Sequence, residues 1–488
     1  MSEIVSESPS ASVAAERRAS DASPAAVTSS SRRPLRSTLP PGPEGMPFAG
    51  NLFQFRANPL NFVTSVARSY GEAATIHMGA QPVILFSRPE HVRYFLTEQP
   101  RNFTNREFAR NLTRLLGDGL LTIDGDFHRQ QRRLVQPAFH KKRVDSYATI
   151  MVQHTSEMLD GWAPGEELDI AHAMQDLTLR IVAKALFDVD LHAGHEDLGQ
   201  QFTNVIENPV QLPFSLRGLP INLPFTPYGK NMAGRAALDT YVYGLIAQRR
   251  AEGIDHGDVV SMLLAAQDNE GDGSGLTDQQ VRDQTMTLLA AGHETTSNAL
   301  TWTMYLLSEH PEIMERLLRE IDEVLAGHTP TTADIPKLHY LDWVFNESMR
   351  LYPPAWTQGR HAIAPFERAG YTFPAGTMVM LSQWVMHRLP EIWGDAETFR
   401  PERWDPTRGE TVPQGAYFPF GSGPRMCIGM PFAQLEMRLL LATILQRYTP
   451  KLIPGWPVVP RPRVTLRPKY GMRMTLVSSP LLGARLTL

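Results

Sequence analysis

The chain has 488 residues, of which 42% are hydrophobic and 20% charged, so it has enough apolar side chains for a large buried core. Its net charge of −4 gives no electrostatic reason to expect nucleic-acid binding, and no run of about 18 apolar residues predicts a transmembrane helix. The single cysteine, Cys427, excludes internal disulfides, CxxC redox pairs and tetracysteine metal sites. Cys427 is therefore a nucleophile, a lone metal ligand or a buried apolar residue, and the last is the default.

Residues 1–37 differ in composition from the rest of the chain, with runs of Ser and Ala and no aromatic residue. Such a segment cannot bury enough surface to offset its ordering entropy, which predicts a disordered tail. A transit peptide is the alternative, but those peptides are poor in acidic residues, and this segment has Glu3, Glu7, Glu16 and Asp21. A proline-rich hinge, Leu39–Pro47, follows, and residues 38–488 are predicted to form one domain.

The predicted elements give a mainly α fold with small β-sheets. A β-hairpin is expected over Thr75–Phe86 around Gly79, and short strands and turns are expected from Ala355 to about Pro401 and again from Pro460 to Leu488. A long, weakly polar helix is expected over Leu276–Leu307, with Thr277 as its capping residue. Further helices are expected over Pro311–Leu325, Leu341–Leu351 and Met430–Tyr448.

The neighbours of the single cysteine form the pattern F-x-x-G-x-R-x-C-x-G from Phe420 to Gly429. Gly423 and Gly429 allow positive φ and close approach to a flat ligand, and Arg425 offers a planar donor fork to a carboxylate. Backbone N–H groups at the start of the next helix are expected to lower the pKa of the Cys427 thiol. Phe420 can shield the sulfur from water.

This segment, followed by Met430-Pro-Phe-Ala433, resembles the cysteine-ligand loop of the cytochrome P-450 superfamily. The resemblance implies a single large heme domain in which Cys427 binds the iron of heme b (iron protoporphyrin IX) as an axial thiolate. It also implies that Arg425 pairs with a heme propionate and that Phe420 lies beside the cofactor.

A second matching segment, Ala291-Gly-His-Glu-Thr-Thr296, lies inside the long predicted helix. Ala291 and Thr295 share a face, Gly292 leaves room for a flat or diatomic ligand, and Glu294 could relay protons. A Ser/Thr-rich core helix is the alternative for this segment alone. The resemblance implies an oxygen-activating groove in which Thr295 and Glu294 are catalytic and Ala291 contacts the heme.

A third match is the pair Glu347 and Arg350, three residues apart, with Arg403 some fifty residues later. Read alone, such a pair is usually a solvated surface ion pair. The resemblance implies instead a structural triad that supports the fold and takes no part in catalysis.

Two further matches concern the heme propionates. His128 and Arg132 are four residues apart on one helical face and could reach one anion together, although a solvated basic face is the alternative. The family more often has Trp where this chain has His128, so Arg132 is the firmer of the two. Arg360 resembles another propionate contact, and the adjacent His361 leaves a one-residue shift open.

The resemblance implies a monooxygenase that activates O₂ and hydroxylates or epoxidises a hydrophobic small molecule, such as a terpenoid, steroid, fatty acid or polyketide. A peroxide-driven peroxygenase, a heme-thiolate isomerase and a heme-based sensor are the alternatives. By position in the family, pocket-lining segments are expected at Phe108–Leu121, Ala290–Ala291, Ala355–Thr357 and Gly471–Met472, with ordinary core packing as an equal alternative for each. An access lid is expected within Asn204–Tyr228.

About sixty residues follow the cysteine loop, too few for a flavin domain, and no cysteines remain for an iron–sulfur cluster. Electrons must then come from separate proteins, expected to be a ferredoxin and an NAD(P)H-dependent ferredoxin reductase. A basic docking patch is predicted at Arg132, Arg133, Lys141, Lys142 and Arg143, with a generic solvated charge cluster as the alternative. The protein is expected to be a cytoplasmic monomer without an integral membrane segment.

Overall fold

A computed structural model describes residues 39–191, 226–268 and 273–483. The predicted tail, residues 1–37, lies outside the described residues, as does almost all of the predicted lid over Asn204–Tyr228. Within the described part of the chain, no helix combines the length and the apolar character needed to cross a membrane.

Helices dominate the described residues, as the sequence predicts. In chain order they are α1 Leu52–Ala57, α2 Pro59–Tyr70, α3 Pro89–Arg93, α4 Arg106–Leu116, α5 Gly125–Val135, α6 Lys141–Ser146, α7 Ala148–Asp160, α8 Ile170–Phe187, α9 Pro227–Glu252, α10 Val259–Ala265, α11 Asp278–Glu309, α12 Pro311–Leu325, α13 His339–Leu351, α14 Gln383–Met386, α15 Pro390–Trp393, α16 Met430–Arg447 and α17 Pro480–Gly483. The predicted helices correspond to α11, α12, α13 and α16, and their ends differ from the prediction by two residues or fewer.

The strands form small sheets at the edge of the helical body. They are β1 Ala73–Met78, β2 Gln81–Phe86, β3 Phe103–Thr104, β4 Glu167–Asp169, β5 Gln358–Ala362, β6 Phe366–Arg368, β7 Tyr371–Phe373, β8 Met378–Leu381, β9 Tyr448–Leu452, β10 Pro460–Pro462, β11 Leu466–Pro468 and β12 Arg473–Ser478. The largest sheet has the order β1-β2-β8-β5-β3, and β4-β12-β9, β10-β11 and β6-β7 are separate. The predicted hairpin is β1–β2, in which Met78 pairs with Gln81 across the turn at Gly79.

Helix α11 is the central element of the fold. It begins at a complete capping box, because the Thr277 hydroxyl accepts from the N–H of Gln280 while the Gln280 side chain accepts from the N–H of Thr277. Most of its residues are buried although many are Thr, Ser, Asn or Gln. Gly292 permits close packing on α8, because a Cβ there would lie 3.0 Å from Cγ2 of Val182. This is a different role for Gly292 from the ligand space that the sequence suggested.

The predicted structural triad forms a buried ion-pair network at the C-terminal end of α13. Arg350 donates to both Glu347 oxygens at 2.7 and 2.9 Å, and Arg403 donates to Glu347 at 3.3 Å. Glu347 and Arg350 are both 0% exposed, so this is no surface pair. Arg350 also donates to the carbonyls of His387 and Ala396, which ties α13 to the turns that precede the cysteine loop.

Candidate active site

The loop that carries Cys427 is held against the segment that follows α3. Gly423 has φ +69°, and a Cβ there would lie 1.8 Å from the carbonyl oxygen of Leu96, so no other residue fits. Gly429 has φ −83°, so its predicted positive φ is wrong; Gly421, with φ +71°, supplies the second left-handed turn. The N–H of Cys427 donates to the carbonyl of the half-buried Phe420 at 2.9 Å, which closes the loop.

The Cys427 side chain is accessible although it lies within the protein body, so it borders an internal space. Burial raises the pKa of its thiol, while N–H groups of Gly429 and Met430 and the charge of Arg132 act in the opposite direction. The predicted helix-end donors are therefore present, but the predicted net lowering of the thiol pKa is wrong, because desolvation outweighs them. A bound metal ion would deprotonate such a thiol outright.

A cluster of guanidinium groups lies next to this loop. Arg425 bonds to the carboxylate of Asp124 and to the carbonyl of Ile123, and Arg132 donates to the carbonyl of Met426 at 2.8 Å. Arg360 is 8% exposed, and burial together with the charge of Arg425 lowers the pKa of Arg360 to about 10. Three positive charges thus face one carboxylate, which leaves an excess of two positive charges.

His128 lies in the same cluster, one helical turn before Arg132 on α5. It is 5% exposed, and burial, followed by the charges of Arg425 and Arg132, lowers the pKa of His128 to about 4. The imidazole is therefore neutral at pH 7. It can donate one N–H to an anion but adds no charge to the cluster.

The middle of α11 exposes a short stripe although the residues around it are buried. Ala291 is exposed and Ala290 and Thr295 are half-buried, so this stripe also borders an internal space. The Thr295 hydroxyl donates to the carbonyl of Ala291 at 2.7 Å, as the sequence suggested. At this stripe the helix presents small side chains and the Thr295 hydroxyl, which can exchange its hydrogen-bond acceptor.

Glu294 lies beside Thr295 in sequence, but its hydrogen bonds lead away from that stripe. Its Oε1 accepts from the Thr465 hydroxyl at 2.6 Å and from the Arg467 guanidinium at 2.7 Å, and Glu294 is 4% exposed. In this arrangement the carboxylate is held by β11 and the turn before it, and the hydroxyl of Thr295 bonds to the helix backbone.

Helix α5 connects the cysteine loop with α11. Its Arg132 bonds to the cysteine loop, and the neighbouring Gln131 accepts a hydrogen bond at 3.1 Å from Gln284 of α11. The chemistry of this site suits a heme. The lone thiol can bind the iron, the stripe of small residues leaves room for the flat ring, and the two excess positive charges can pair with two propionates. This fit rests on the charge balance of the cluster and the accessible Cys427 and Ala291 side chains.

The predicted pocket-lining segments differ in their exposure. Ala355 and Thr357 are half-buried, and Phe108 is 46% exposed, with its ring against the backbone of Gly359. Met472 is 0% exposed and packs in the large helical core, so of the two readings left open for it, core packing is the one that the structure shows.

Most residues of the predicted basic docking patch form hydrogen bonds or ion pairs within the chain. Arg132 bonds to Met426, Arg133 to Asp268, Lys141 to Asp145 and Arg143 to Gly257. Asp268 is itself buried, so its pair with Arg133 stabilises the fold. Lys141 and Lys142 are both exposed, whereas the arginines bond within the chain, so the patch is weaker than its sequence suggests.

Sequence reasoning missed two groups of residues. Asp124 precedes α5 and accepts from Arg425, from Thr104 and from the N–H groups of Asn105 and Arg106, so it organises the guanidinium cluster. Its only signal in the sequence is its place before a predicted helix. Arg467, the partner of Glu294, lies 173 residues later in the chain, and nothing in its neighbourhood marks it.

Comparison with known proteins places the chain in a family. A family model described as cytochrome P-450 matches residues 40–474. Cyclooctatin synthase of Streptomyces melanosporofaciens is 38% identical, over 89% of this chain and 94% of the relative. Pentalenene oxygenase of Streptomyces avermitilis is 33% identical, over 89% and 96%.

Among solved structures, retinoic acid-bound cyanobacterial CYP120A1 is similar with a TM-score of 0.80 and 30% identity, over 91% of this chain and all of that one. Cyclooctat-9-en-7-ol 5-monooxygenase of Streptomyces melanosporofaciens is 36% identical, over 86% of this chain and 93% of the relative. The predicted heme-thiolate monooxygenase with a mainly α fold is thereby confirmed: the chain belongs to the cytochrome P-450 family.

Proposed function

We propose that this monooxygenase oxygenates a cyclic terpenoid and that Cys427 is the thiolate ligand of heme b. The observation that carries the site is the joint arrangement of an accessible Cys427 and an excess of two positive charges beside it. The names of three relatives support the substrate class: cyclooctatin synthase, cyclooctat-9-en-7-ol 5-monooxygenase and pentalenene oxygenase.

The guanidinium cluster would bind the cofactor through its propionates. Arg132, Arg360 and Arg425 supply charge, and neutral His128 donates one N–H. Asp124 holds Arg425 in place and offsets one charge, so two propionates would bring the cluster to neutrality. Heme b carries two propionates, which matches this charge count.

When bound, a heme thiolate supplies reductive O₂ activation, in which the thiolate favours cleavage of the O–O bond. The residues of this chain orient the reactants and move protons. Ala291 keeps the groove free of a large side chain. The Thr295 hydroxyl, which donates to Ala291, can turn and donate a proton to a ligand beside it. Glu294 would resupply that proton once its carboxylate has separated from Arg467 and taken up a proton from solvent.

The electrons would come from a ferredoxin and its NAD(P)H-dependent reductase. Exposed Lys141 and Lys142 and the outer faces of Arg132 and Arg143 are the basic groups available for an acidic partner. Because Arg132, Arg133 and Arg143 are also bonded within the chain, we expect docking to depend only moderately on salt. The proposal includes a cytoplasmic monomer, which size-exclusion chromatography with light scattering and cell fractionation would test.

The experiment has two steps. The reduced CO complex of the purified protein should absorb near 450 nm, and Cys427→Ala should abolish that band, while a band near about 420 nm in the wild type would contradict thiolate ligation. Cyclooctat-9-en-7-ol and pentalenene are then supplied with spinach ferredoxin, its reductase and NADPH. Oxygenated product that requires NADPH supports the proposal; product formed only with hydrogen peroxide would favour the peroxygenase alternative.

A further inference from the structure

The segment between α4 and α5 lies directly on the first half of α11. Gly117 has φ +71°, and a Cβ there would lie 2.1 Å from Oδ1 of Asp283. A Cβ on Gly119 would lie 2.0 Å from Oγ1 of Thr287. Only glycine permits this approach at either position, so the contact between residues 117–120 and the helix is built into the sequence.

Two buried side chains of α11 hold this segment by its backbone. Asp283, 3% exposed, accepts from the N–H of Asp118 at 2.9 Å. Gln284, 0% exposed, accepts from the N–H of Leu120 at 3.1 Å and donates to Gln131 of α5, also at 3.1 Å. Residues 117–120 are therefore fixed to α11, and through Gln284 to the helix that carries Arg132.

The charge on Asp283 is itself balanced. Arg282 donates to Asp283 at 2.8 Å and pairs with Asp239 of α9, so the charges alternate from α9 to the N–H of Asp118. Burying such a chain costs desolvation, and well-packed apolar residues often stabilise a core as well. What the polar chain adds is a defined position for the segment, because a shift of its backbone would leave buried groups without partners.

The anchored segment adjoins the candidate groove along α11. Asp283, Thr287, Ala291 and Thr295 follow one another at intervals of four, and because four residues exceed one turn by about 40°, they form a ridge that winds slowly around the helix. The segment covers the first two positions, and Ala291 and Thr295 are the accessible continuation. Leu121, the next residue after the anchored stretch, is 42% exposed.

We propose that Asp283 and Gln284 are positioning residues that fix residues 117–120 as an end wall of the substrate space above Ala291. The wall sets how large a ligand can lie over the heme. The proposal rests on the proposed function, because it takes the Ala291 stripe as the face toward the heme. Neither side chain contacts the ligand itself; both act through the backbone that they hold.

Two azoles that bind heme iron test this wall without knowledge of the natural substrate. Imidazole is small, whereas clotrimazole is bulky and extends away from the iron. Asp283 accepts from Arg282 with one oxygen and from the N–H of Asp118 with the other. Asp283→Asn has only one acceptor oxygen, so residues 117–120 should be held less firmly. The matched control is Asp278→Asn, which removes the same charge from an exposed position on the same helix.

In Asp283→Asn, we expect the ratio of the imidazole Kd to the clotrimazole Kd, read from the Soret shift, to change at least about tenfold. Imidazole binding alone should stay within about twofold, and the CO band near 450 nm should persist. Gly119→Ala, which pushes the segment off Thr287, should change the ratio in the same way. Its control is Gly161→Ala, where a Cβ would meet only the carbonyl oxygen of Met158 at 3.5 Å.

A ratio within about twofold of the wild type in both variants would overturn the inference, as would an equal shift for both azoles. Loss of heme from both variants would also overturn it, because Asp283 would then act on the fold alone. A wild type that shows no band near 450 nm would instead contradict the proposed heme site. The two failures are therefore distinguishable.

Discussion

The carboxylate of Glu294 accepts a hydrogen bond at 2.7 Å from the guanidinium of Arg467, although the two residues lie 173 positions apart. The Thr465 hydroxyl completes this site at 2.6 Å. The pair joins the middle of α11 to β11, in a region that is almost fully buried. The sequence predicts Glu294 as the acidic partner of Thr295, but in this structure its carboxylate is held by Arg467. Any proton transfer from Glu294 to Thr295 therefore requires this ion pair to open.

The first prediction concerns this ion pair. Glu294→Gln removes the ionisable group, and we expect the rate of oxygenated product formation to fall at least about tenfold, a typical loss for a general acid–base group. Arg467→Gln leaves the carboxyl group and only removes its partner, so the rate should stay within about threefold of the wild type. The measurement is product formation under saturating ferredoxin, with the solvent deuterium isotope effect as a second readout. Equal losses in both variants would show that Glu294 only holds β11.

The second prediction concerns the hydroxyl of Thr295, which donates to Ala291 at 2.7 Å. Thr295→Ala should leave NADPH consumption nearly unchanged but lower the product formed per NADPH, because protons would no longer be directed by this hydroxyl. Thr295→Ser should restore most of the yield. Thr301→Ala is the matched control, since the Thr301 hydroxyl bonds to the carbonyl four residues before it, at Ser297, in the same way but in the buried core. An unchanged yield in Thr295→Ala would refute the proton-directing role.

The third prediction concerns the guanidinium cluster and heme retention. Arg425→Gln removes one charge-assisted contact, which is worth about 1.5–3 kcal/mol, so the rate of heme transfer to apomyoglobin should rise about tenfold to a hundredfold. Asp124→Asn should have a smaller effect, because it leaves all three arginines in place. Arg319→Gln serves as the surface control, as its partner Glu315 is also exposed. If the heme left Arg425→Gln no faster than the control variant, Arg425 would have no role in propionate binding.

Much of the fold could be predicted because its signals are local. The capping box at Thr277 and the proline at the start of α12 fix helix ends through contacts within one turn. The cysteine loop is equally local, since Gly423 and Phe420 act within seven residues of Cys427. Contacts between distant parts of the chain were not predictable in this way. Asp124 meets Arg425 across 301 positions, and no spacing rule connects them.

The same limit applies to electrostatics. The helix-end donors of Cys427 could be expected from the sequence, but the sign of its pKa shift depends on burial, which the fold decides. The lowered pKa of His128 likewise depends first on burial and then on the charges of Arg425 and Arg132, and Arg425 is remote in sequence. The types of chemical group at the site can be predicted from the sequence, but their protonation states depend on the fold.

The last prediction concerns His293 and acid stability. His293 is 3% exposed, and burial, with the nearby charge of Arg467, lowers its pKa to about 4 from the ordinary 6.5. Between these two values the unfolded chain binds a proton that the folded chain does not, so the free energy of unfolding falls as the pH decreases. From pH 7.5 to pH 5.0 this one residue should cost the fold about 2 kcal/mol. The full contribution is retained above the unfolded pKa and is lost progressively toward the folded pKa.

His293→Gln does not titrate, so its unfolding free energy, measured in urea at the two pH values, should fall by about 2 kcal/mol less than that of the wild type. The absolute stability of the variant at pH 7.5 does not enter this comparison, because only the difference between the two pH values is used. His172→Gln is the control, since His172 is exposed on α8. If the unfolding free energies of the wild type and of His293→Gln had the same pH dependence, the pKa of His293 would be the same in the folded and unfolded chains, and the prediction would be wrong.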